Sequence, residues 1–196
     1  MIVILRTKNS NYNLWYNIIG GHMDVTLRLL NNDNAEFKQI HKWCKNKFVY
    51  EWFEQRVLSY DEIVTKYRNK LLNNKQKLFI IQYKNKDIGL VQIYKFENNI
   101  NLNELDYFKN IYEYDLFIGE EEYLSKGIGT NIVQLINQII YYEYLADAII
   151  LRPFKRNIRA VKCYEKCNFK LIADYDGKDT LGNPEIISVL LNTKKH

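Results

Sequence analysis

The sequence contains few of the residues that break regular structure or crosslink a chain. Only 2 prolines, 8 glycines and 3 cysteines occur in 196 residues, which argues against long linkers and low-complexity tails. A composition of 47% hydrophobic and 26% charged residues is normal for one globular domain. The cysteines, Cys44, Cys163 and Cys167, show neither metal-ligand spacing nor a disulfide framework. We therefore expect buried or half-buried free thiols and a cytoplasmic location.

Long apolar runs are also missing. No stretch of roughly 18 apolar residues could span a bilayer, and the N-terminal apolar run is too short for a signal peptide. The lysines are scattered rather than striped and no nucleic-acid-binding motif occurs, so neither a membrane nor a nucleic acid is expected as a partner. We predict that residues 1–22 are an N-terminal extension of unknown role, and that residues 23–196 form a single domain.

One stretch differs in charge from the rest of the chain. The net charge is a mild +5, but residues 101–125 contain seven acidic residues and one base, Lys109. The acidic residues are Glu104, Asp106, Glu113, Asp115, Glu120, Glu121 and Glu122. The stretch indicates either a solvated acidic loop or a site for a cationic ligand.

The apolar periodicity alternates between that of strands and that of helices. It predicts strands at 25–30, 77–85, 87–97, 111–119, 147–154, 169–176 and 185–193. It predicts four helices, at 34–47, 59–73, 131–146 and 157–168, the second of them opened by a Ser59–Glu62 capping box. The aromatic segment 49–58 has no clear period and is predicted to be irregular. This order is typical of an α/β (α+β) domain with a mixed, largely antiparallel sheet.

The stretch Leu-Ser-Lys-Gly-Ile-Gly-Thr at 124–130 lies between the predicted strand 111–119 and the helix after it. Glycines there could simply form a turn. They could also let the unpaired N–H groups at the start of the helix approach a phosphate closely. The pattern is neither a dinucleotide-binding fingerprint nor a Walker loop, so the spacing alone leaves both interpretations open.

The context of these glycines resembles the GNAT superfamily of acetyl-CoA-dependent N-acyltransferases. The pyrophosphate loop of that family, [QR]-x-x-G-x-[GA], matches at Gly127 and Gly129 but has Leu124 in place of the first polar residue. A second family pattern matches at Asn157, Ala160, Tyr164, Lys166 and Phe169. It departs at Asn168, where glycine is usual, and asparagine is the next best residue for a left-handed helix cap.

Further blocks resemble the aminoglycoside 6′-N-acetyltransferases, including the acetylating half of the bifunctional aminoglycoside-modifying enzyme. These blocks are WFEQRVLSYDEIVTKY, IGLVQIYK and YEYDLFIGEEEYLSKGIGT, and the likeness spans roughly 25–192. It implies the GNAT fold, with six to seven twisted strands and about four helices. It also implies direct acetyl transfer to the 6′-amine of an antibiotic, a role in resistance, no metal, and a monomer or homodimer.

The same resemblance assigns the donor site. The N–H groups of the loop would hold the pyrophosphate of acetyl-CoA, and the edge of the strand before it would hold the pantetheine. Asn157 would bind the pantetheine or only cap its helix. The implied donor-binding residues are Leu116, Phe117, Ile118, Lys126, Gly127, Ile128, Gly129, Thr130 and Asn157.

It likewise assigns the chemistry. Asp115 would receive the proton of the amine, unless it is a solvated strand residue, and Tyr164 would protonate the leaving thiolate, unless it only fills the core. Glu113 would share the face of Asp115, while Tyr114 points the other way. Trp52, Phe53 and Trp43 would stack on sugar rings or pack in the core, and the acidic residues near Glu120 would attract a cation.

One residue departs from the aminoglycoside enzymes. Those enzymes typically read Asp-Pro after the buried strand, and this chain reads Arg152-Pro153. A cation beside the amine site should repel a polycationic antibiotic. Either Arg152 turns toward the phosphates or pantetheine of coenzyme A, or the substrate is another amine, such as a polyamine, a streptothricin-type antibiotic or a siderophore precursor. A non-catalytic acyl-CoA-binding module is a further alternative.

Overall fold

The computed structural model describes residues 3–9, 13–19, 24–97, 100 and 102–194. Its strands are β1 (Val3–Asn9), β2 (Asn13–Ile19), β3 (Val25–Leu29), β4 (Gln76–Tyr83), β5 (Lys86–Lys95), β6 (Ile111–Ile118), β7 (Ala148–Leu151), β8 (Lys170–Lys178) and β9 (Pro184–Thr193). Its helices are α1 (Asn34–Cys44), α2 (Lys47–Phe53), α3 (Tyr60–Asn73), α4 (Ile128–Glu143) and α5 (Ile158–Lys166).

The strands form one sheet in the order β1-β2-β3-β4-β5-β6-β7-β9-β8. Every pairing is antiparallel except β6 with β7. Those two strands are parallel because α4 carries the chain from the end of one to the start of the other, as a parallel crossover requires. The predicted mixed, mostly antiparallel sheet is confirmed, and β3–β9 are its seven predicted strands.

The sheet is covered on both faces by helices whose apolar stripes are buried. On one face α4 buries Ile132, Ile136 and Ile139, each 0% exposed. On the other, α1 buries Phe37 and Ile40 against the sheet. Burying a side chain of this size stabilises the fold by roughly 1.5–3 kcal/mol, so the two layers hold the ends of β6 and β7 in fixed positions.

The predicted helix starts are formed as the sequence rules require. Ser59 accepts a hydrogen bond from the N–H of Glu62, and the Glu62 carboxylate accepts one from the N–H of Ser59, which completes the capping box. Asn168 has a left-handed φ of 66° after α5, as predicted for an asparagine in the place of glycine. The local signals at these positions were therefore sufficient.

One sequence prediction needs correction. The segment predicted as irregular contains most of α2, so the described residues contain five α-helices rather than about four. Asn46 caps α2 without a side-chain hydrogen bond, and Val49 is buried in the core, so packing stabilises a helix too short to stand alone. The predicted N-terminal extension contains β1 and β2, and β2 pairs with β3.

Candidate active site

Strands β6 and β7 separate part of the way along their length. They are paired only at Ile111–Ala148, Tyr112–Ile149 and Glu113–Ile150, whereas β6 continues to Ile118. On its other side β6 stays paired with β5 as far as Ile118. In the described residues the edge of β6 that faces β7 therefore has no strand partner beyond Glu113. Its backbone N–H and C=O groups can pair with an extended ligand, as an added strand would.

A cleft of about 480 Å³ opens along this unpaired edge. Five parts of the fold contribute to it: α2, β6, the start of α4, the segment after β7, and α5. Its lining includes Trp52, Phe53, Tyr114, Asp115, Leu116, Phe117, Ile118, Gly127, Gly129, Thr130, Arg152, Phe154, Asn157 and Tyr164. The structure thus brings together most of the residues that the sequence assigned to a donor site and a reaction centre.

The start of α4 forms one end of the cleft. Gly127 is its N-cap with a φ of 79°, a conformation in which glycine avoids the strain of a side chain. The N–H groups of Gly127, Ile128 and Gly129 donate to no backbone carbonyl within the described chain, whereas that of Thr130 donates to the Gly127 carbonyl at 3.1 Å. Three free donors and the positive end of a helix of 16 residues suit an anion.

Gly127 and Gly129 differ in what the structure requires at each position. A Cβ on Gly127 would meet nothing within 4 Å, so only its backbone conformation calls for glycine. A Cβ on Gly129 would lie 3.5 Å from Sγ of Cys163, which is ordinary contact. Gly129 therefore lies where α5 packs against α4, and because it has no side chain its backbone is exposed to the cleft.

Tyr164 lies on α5 and reaches into the cleft, with its ring 5.9 Å from that of Phe169. Within the described residues its hydroxyl has no hydrogen-bond partner, so it is available to a ligand. Burial raises the pKa of Tyr164, and the nearby Cys163 and Asp115 raise it further. The phenol is therefore a proton donor throughout the neutral range.

Asn157 lines the same cleft and caps α5. Its side chain accepts a hydrogen bond from the N–H of Ala160 at 3.2 Å. The capping role is thus established by the contact. Because the cap uses only Oδ1, the amide NH₂ group can still donate to a ligand in the cleft.

Asp115 is held by two donors on one of its oxygens. Gln92 Nε2 donates to Oδ2 at 2.7 Å, and the Tyr94 hydroxyl donates to the same atom at 2.9 Å. Lys70 Nζ donates to Oε1 of Gln92 at 2.5 Å, which fixes the orientation of that amide. In the described chain Oδ1 of Asp115 has no partner, so one carboxylate oxygen is left to receive a proton.

Glu113 lies on the same face as Asp115, as predicted, but it is not free to bind a substrate. It is 3% exposed, and its two oxygens accept hydrogen bonds from Nε and Nη2 of Arg152, both at 2.8 Å. Burial raises the pKa of Glu113, while the Arg152 guanidinium lowers it. The charge of Arg152 is therefore compensated inside the protein. This reduces the repulsion between Arg152 and a cationic substrate that the sequence predicted.

The aromatic residues predicted for the acceptor side divide into two groups. Trp52 and Phe53 line the cleft; the Trp52 ring lies 4.8 Å below the guanidinium of Arg156, and Phe53 packs edge-on against Phe117 at 5.0 Å. Trp43 is 0% exposed and belongs to the core. The cleft thus has an aromatic wall, formed by Trp52 and Phe53, without the third predicted ring.

Three other predicted residues, Glu120, Lys126 and Ile128, lie outside the cleft lining, and the side chain of Ile128 is buried in the core. Oε1 of Glu120 accepts hydrogen bonds from Lys42 Nζ and Trp43 Nε1, both at 2.9 Å, so this carboxylate ties the loop after β6 to α1. Lys126 is exposed beside the start of α4. Tyr114 points away from Asp115, as predicted, and donates to Oδ1 of Asn137 on α4 at 3.0 Å.

The sequence did not single out Lys70, Gln92 or Tyr94. Gln92 and Tyr94 are two residues apart on β5, and Gln92 is the direct cross-strand partner of Asp115. Alternation along β5 places Gln92 and Tyr94 on one face of the sheet, but it does not tell which residue of β6 they meet. The residue they meet depends on the register between β5 and β6. The irregular segment that joins these two strands does not fix that register from the sequence.

An open strand edge, a helix start with free N–H groups and a facing tyrosine define a protein that binds an extended, phosphate-bearing acyl donor. Residues 33–176 match the family described as "Acetyltransferase (GNAT) domain". The chain belongs to this family and is an N-acetyltransferase.

Sequence relatives and solved structures agree with this assignment. The chain is 29% identical to a spermidine N(1)-acetyltransferase of Vibrio cholerae over 74% of its length and 78% of the relative's. It is 23% identical to an aminoglycoside N(6′)-acetyltransferase type 1 of Klebsiella pneumoniae over 79% of each. A crystal structure of an aminoglycoside acetyltransferase with coenzyme A matches with a TM-score of 0.71 and 20% identity, covering 87% of this chain and 95% of the other.

Metal-binding groups and membrane-spanning helices are both absent from the described residues. They contain no group of three or more His, Cys, Asp or Glu side chains able to hold a metal ion. None of the helices in this part of the chain is long and apolar enough to cross a membrane. The three cysteines are free thiols, buried or half-buried as predicted.

Proposed function

We propose that this protein transfers the acetyl group of acetyl-CoA to the primary amine of a small molecule by direct attack, without an acyl-enzyme. One observation carries the proposal: the free Oδ1 of Asp115 and the unpartnered hydroxyl of Tyr164 line one cleft together with the open edge of β6. A base, an acid and a binding edge in one cleft are what this reaction needs.

The acetyl donor is acetyl-CoA, the co-substrate of the family. The N–H groups of Gly127, Ile128 and Gly129 bind its pyrophosphate, since they point from a helix start with no partner of their own. The edge at Leu116–Ile118 pairs with the pantetheine amides, and Asn157 donates to them from the opposite side. A backbone N–H of the same edge stabilises the oxyanion that develops on the thioester.

The bond changes need one base and one acid. As the amine nitrogen bonds to the acetyl carbon, Oδ1 of Asp115 accepts the amine proton, directly or through a water molecule. As the carbon–sulfur bond breaks, Tyr164 gives its phenolic proton to the departing thiolate. The raised pKa of Tyr164 keeps the phenol protonated at neutral pH. It also makes the phenol a weak acid, so Tyr164 stabilises the developing thiolate by a hydrogen bond and gives up its proton only as the carbon–sulfur bond breaks.

The relatives point to two classes of acceptor. The sequence predicts the 6′-amine of an aminoglycoside, and the Klebsiella pneumoniae relative supports it. A polyamine is the second candidate, supported by the Vibrio cholerae relative and by the solved structure of spermidine N-acetyltransferase from that organism with CoA and spermine. Both classes carry several ammonium groups, whereas the cleft meets them with one carboxylate that has no ion-pair partner in the described chain, Asp115.

The test is a thiol-release assay with acetyl-CoA and a panel of amines, among them kanamycin-type aminoglycosides and spermidine. We expect release of coenzyme A that depends on the amine, with the acetyl group recovered on nitrogen by mass spectrometry. Tight binding of acetyl-CoA without turnover of any amine would mean a non-catalytic acyl-CoA-binding module and would refute the proposal.

Asp115→Asn is the matched variant. Asparagine can accept the hydrogen bonds of Gln92 and Tyr94 on its oxygen, so it removes the basic atom and keeps the network. We expect kcat/KM to fall by about 100-fold or more, with the Kd of acetyl-CoA unchanged. A fall in affinity for acetyl-CoA instead would place Asp115 in the donor site.

A further inference from the structure

A second cavity adjoins the cleft at the reaction centre. Its volume is about 430 Å³, and Asp115 and Arg152 line both it and the cleft. Gln92 and Tyr94, the two residues that hold the Asp115 carboxylate, also line it. A molecule whose amine lies at Asp115 can therefore extend into this cavity, which the donor site described above does not use.

The charges of the second cavity are unevenly matched. Four cations line it, Lys70, Lys75, Lys95 and Arg152, against the carboxylates of Glu97, Glu113 and Asp115. Arg152 and Glu113 neutralise each other in a bidentate pair, and Asp115 is the partner of the reacting amine. Three ammonium groups then remain against one carboxylate, Glu97. We call the part lined by Lys70, Lys75 and Lys95 the cationic lobe.

The carboxylates near the aromatic wall do not offset this balance. Glu54, at the end of α2, forms an ion pair with Lys66. Glu185 and Glu51 both pair with Arg156, at 2.6 and 3.8 Å, and the Arg156 guanidinium stacks on Trp52. A second or third ammonium of a polycation would thus find carboxylates that are already in ion pairs on one side and the cationic lobe on the other.

We propose that the acceptor carries, beside its reacting primary amine, an anionic group that binds in the cationic lobe through Lys75 and Lys95. Both lysines are exposed and in the described chain have no ion-pair partner, so their ammonium groups can turn toward a carboxylate or phosphate. Lys70 donates its hydrogen bond to Gln92, so it attracts the anionic group by its charge rather than by direct contact. This inference rests on the proposed function, because it takes Asp115 as the position of the amine.

The experiment uses amines that differ only in their far end. An ω-amino carboxylate, the n-alkylamine and the α,ω-diamine of equal chain length are compared over a graded series of lengths. Binding is read from quenching of tryptophan fluorescence in the presence of coenzyme A, and turnover from thiol release with acetyl-CoA. At low salt we expect the amino carboxylate to bind best and the diamine worst, with the difference shrinking as salt is raised.

Variants of the lobe make the test specific. Lys75→Gln and Lys95→Gln should each weaken binding of the amino carboxylate by about fivefold, the size expected of an exposed ion pair, and leave the alkylamine unchanged. Lys77→Gln is the control, because Lys77 is an exposed lysine of the adjacent strand that bonds to Asn74 and does not line the cavity.

The outcomes separate the two proposals. Stronger binding of the diamine, or equal binding of all three amines, overturns the cationic lobe whether or not any amine is acetylated. An equal effect of the lysine variants on the alkylamine overturns it as well. Binding in the expected order without acetyl transfer would leave the lobe in place and refute the acetyltransferase mechanism.

Discussion

At the scale of single residues, the reaction centre depends on which atoms are left unpaired. Oδ2 of Asp115 accepts two hydrogen bonds and Oδ1 accepts none in the described chain, so the carboxylate is oriented and still has a free basic atom. The Tyr164 hydroxyl is likewise unpartnered. Residues that must exchange protons with a ligand are thus held by contacts that leave the reacting atom open.

Tyr164→Phe tests the proposed acid. Removing the phenol leaves the thiolate to be protonated by water, so we expect kcat to fall roughly 10–100-fold. The ring contact with Phe169 is retained, and the melting temperature should change little. Because the pKa of Tyr164 is raised by burial, the unmodified protein should show no loss of kcat from this residue up to a pH of about 10. A variant with full activity would remove Tyr164 from the mechanism.

Lys70→Met tests whether the orientation of Asp115 depends on Lys70. Without the ammonium donor, the Gln92 amide can turn its oxygen toward the carboxylate and repel it. A hydrogen bond involving a charged group contributes about 1.5–3 kcal/mol, so we expect kcat/KM to fall about tenfold. The pH profile of kcat/KM should change with it, whereas the affinity for acetyl-CoA should not.

The control is a double-mutant cycle with Gln92→Met. If Lys70 acts through Gln92, adding Lys70→Met to that variant should cause no further loss. Additive losses would mean that Lys70 acts independently, for example by stabilising the packing of α3 against the sheet.

At the scale of elements, the donor site depends on the start of α4 and on the separation of β6 from β7. The helix, its glycine cap and the strand before it were all predictable, because each follows from a local rule: a period of 3.6, a period of 2, and a conformation that favours glycine. The helix α2 was not predictable, since Asn46 provides no side-chain cap and the helix depends on the burial of Val49.

Gly127→Ala tests the start of α4. Alanine at a φ of 79° is strained, at a cost of about 1–2 kcal/mol, and relief of that strain would displace the free N–H groups at the start of α4. We expect a lower melting temperature and a clearly raised KM for acetyl-CoA.

Gly182→Ala is the matched control for this substitution. Gly182 has a φ of 87° in the turn between β8 and β9, and a Cβ there also meets nothing within 4 Å. It should cost similar stability and leave the KM for acetyl-CoA unchanged. Equal effects of the two substitutions on that KM would argue that strain, rather than loss of an anion site, is responsible.

At the scale of the whole molecule, the site is assembled from distant parts of one sheet. Cleft residues range from Phe48 to Lys166, and the matched family region covers residues 33–176. The first 22 residues lie outside the matched family region. β2 meets β3 at two register positions, Trp15–Arg28 and Tyr16–Leu27. Val25 and Leu27 of β3 belong to the core cluster that also contains residues of β4, β5 and α4.

A chain that begins at Met23 should therefore fold and remain active. We expect cooperative thermal unfolding, with a melting temperature lowered by no more than about 5 °C, and kcat/KM within about twofold of the full chain. Deleting only residues 1–11 provides an intermediate that keeps β2. Aggregation of the chain from Met23 alone would show that β2 is needed to cover the edge of β3.

The sequence by itself determined the elements, the loop at Gly127 and Gly129, and the family, because these rest on local periodicity, backbone conformation and motif spacing. Only the tertiary structure decided which charges meet. Arg152 neutralises Glu113 from a position 39 residues away, and Lys70 reaches Asp115 through Gln92 across two elements. Such pairs depend on strand register and on the placement of helices over the sheet, which no local pattern records.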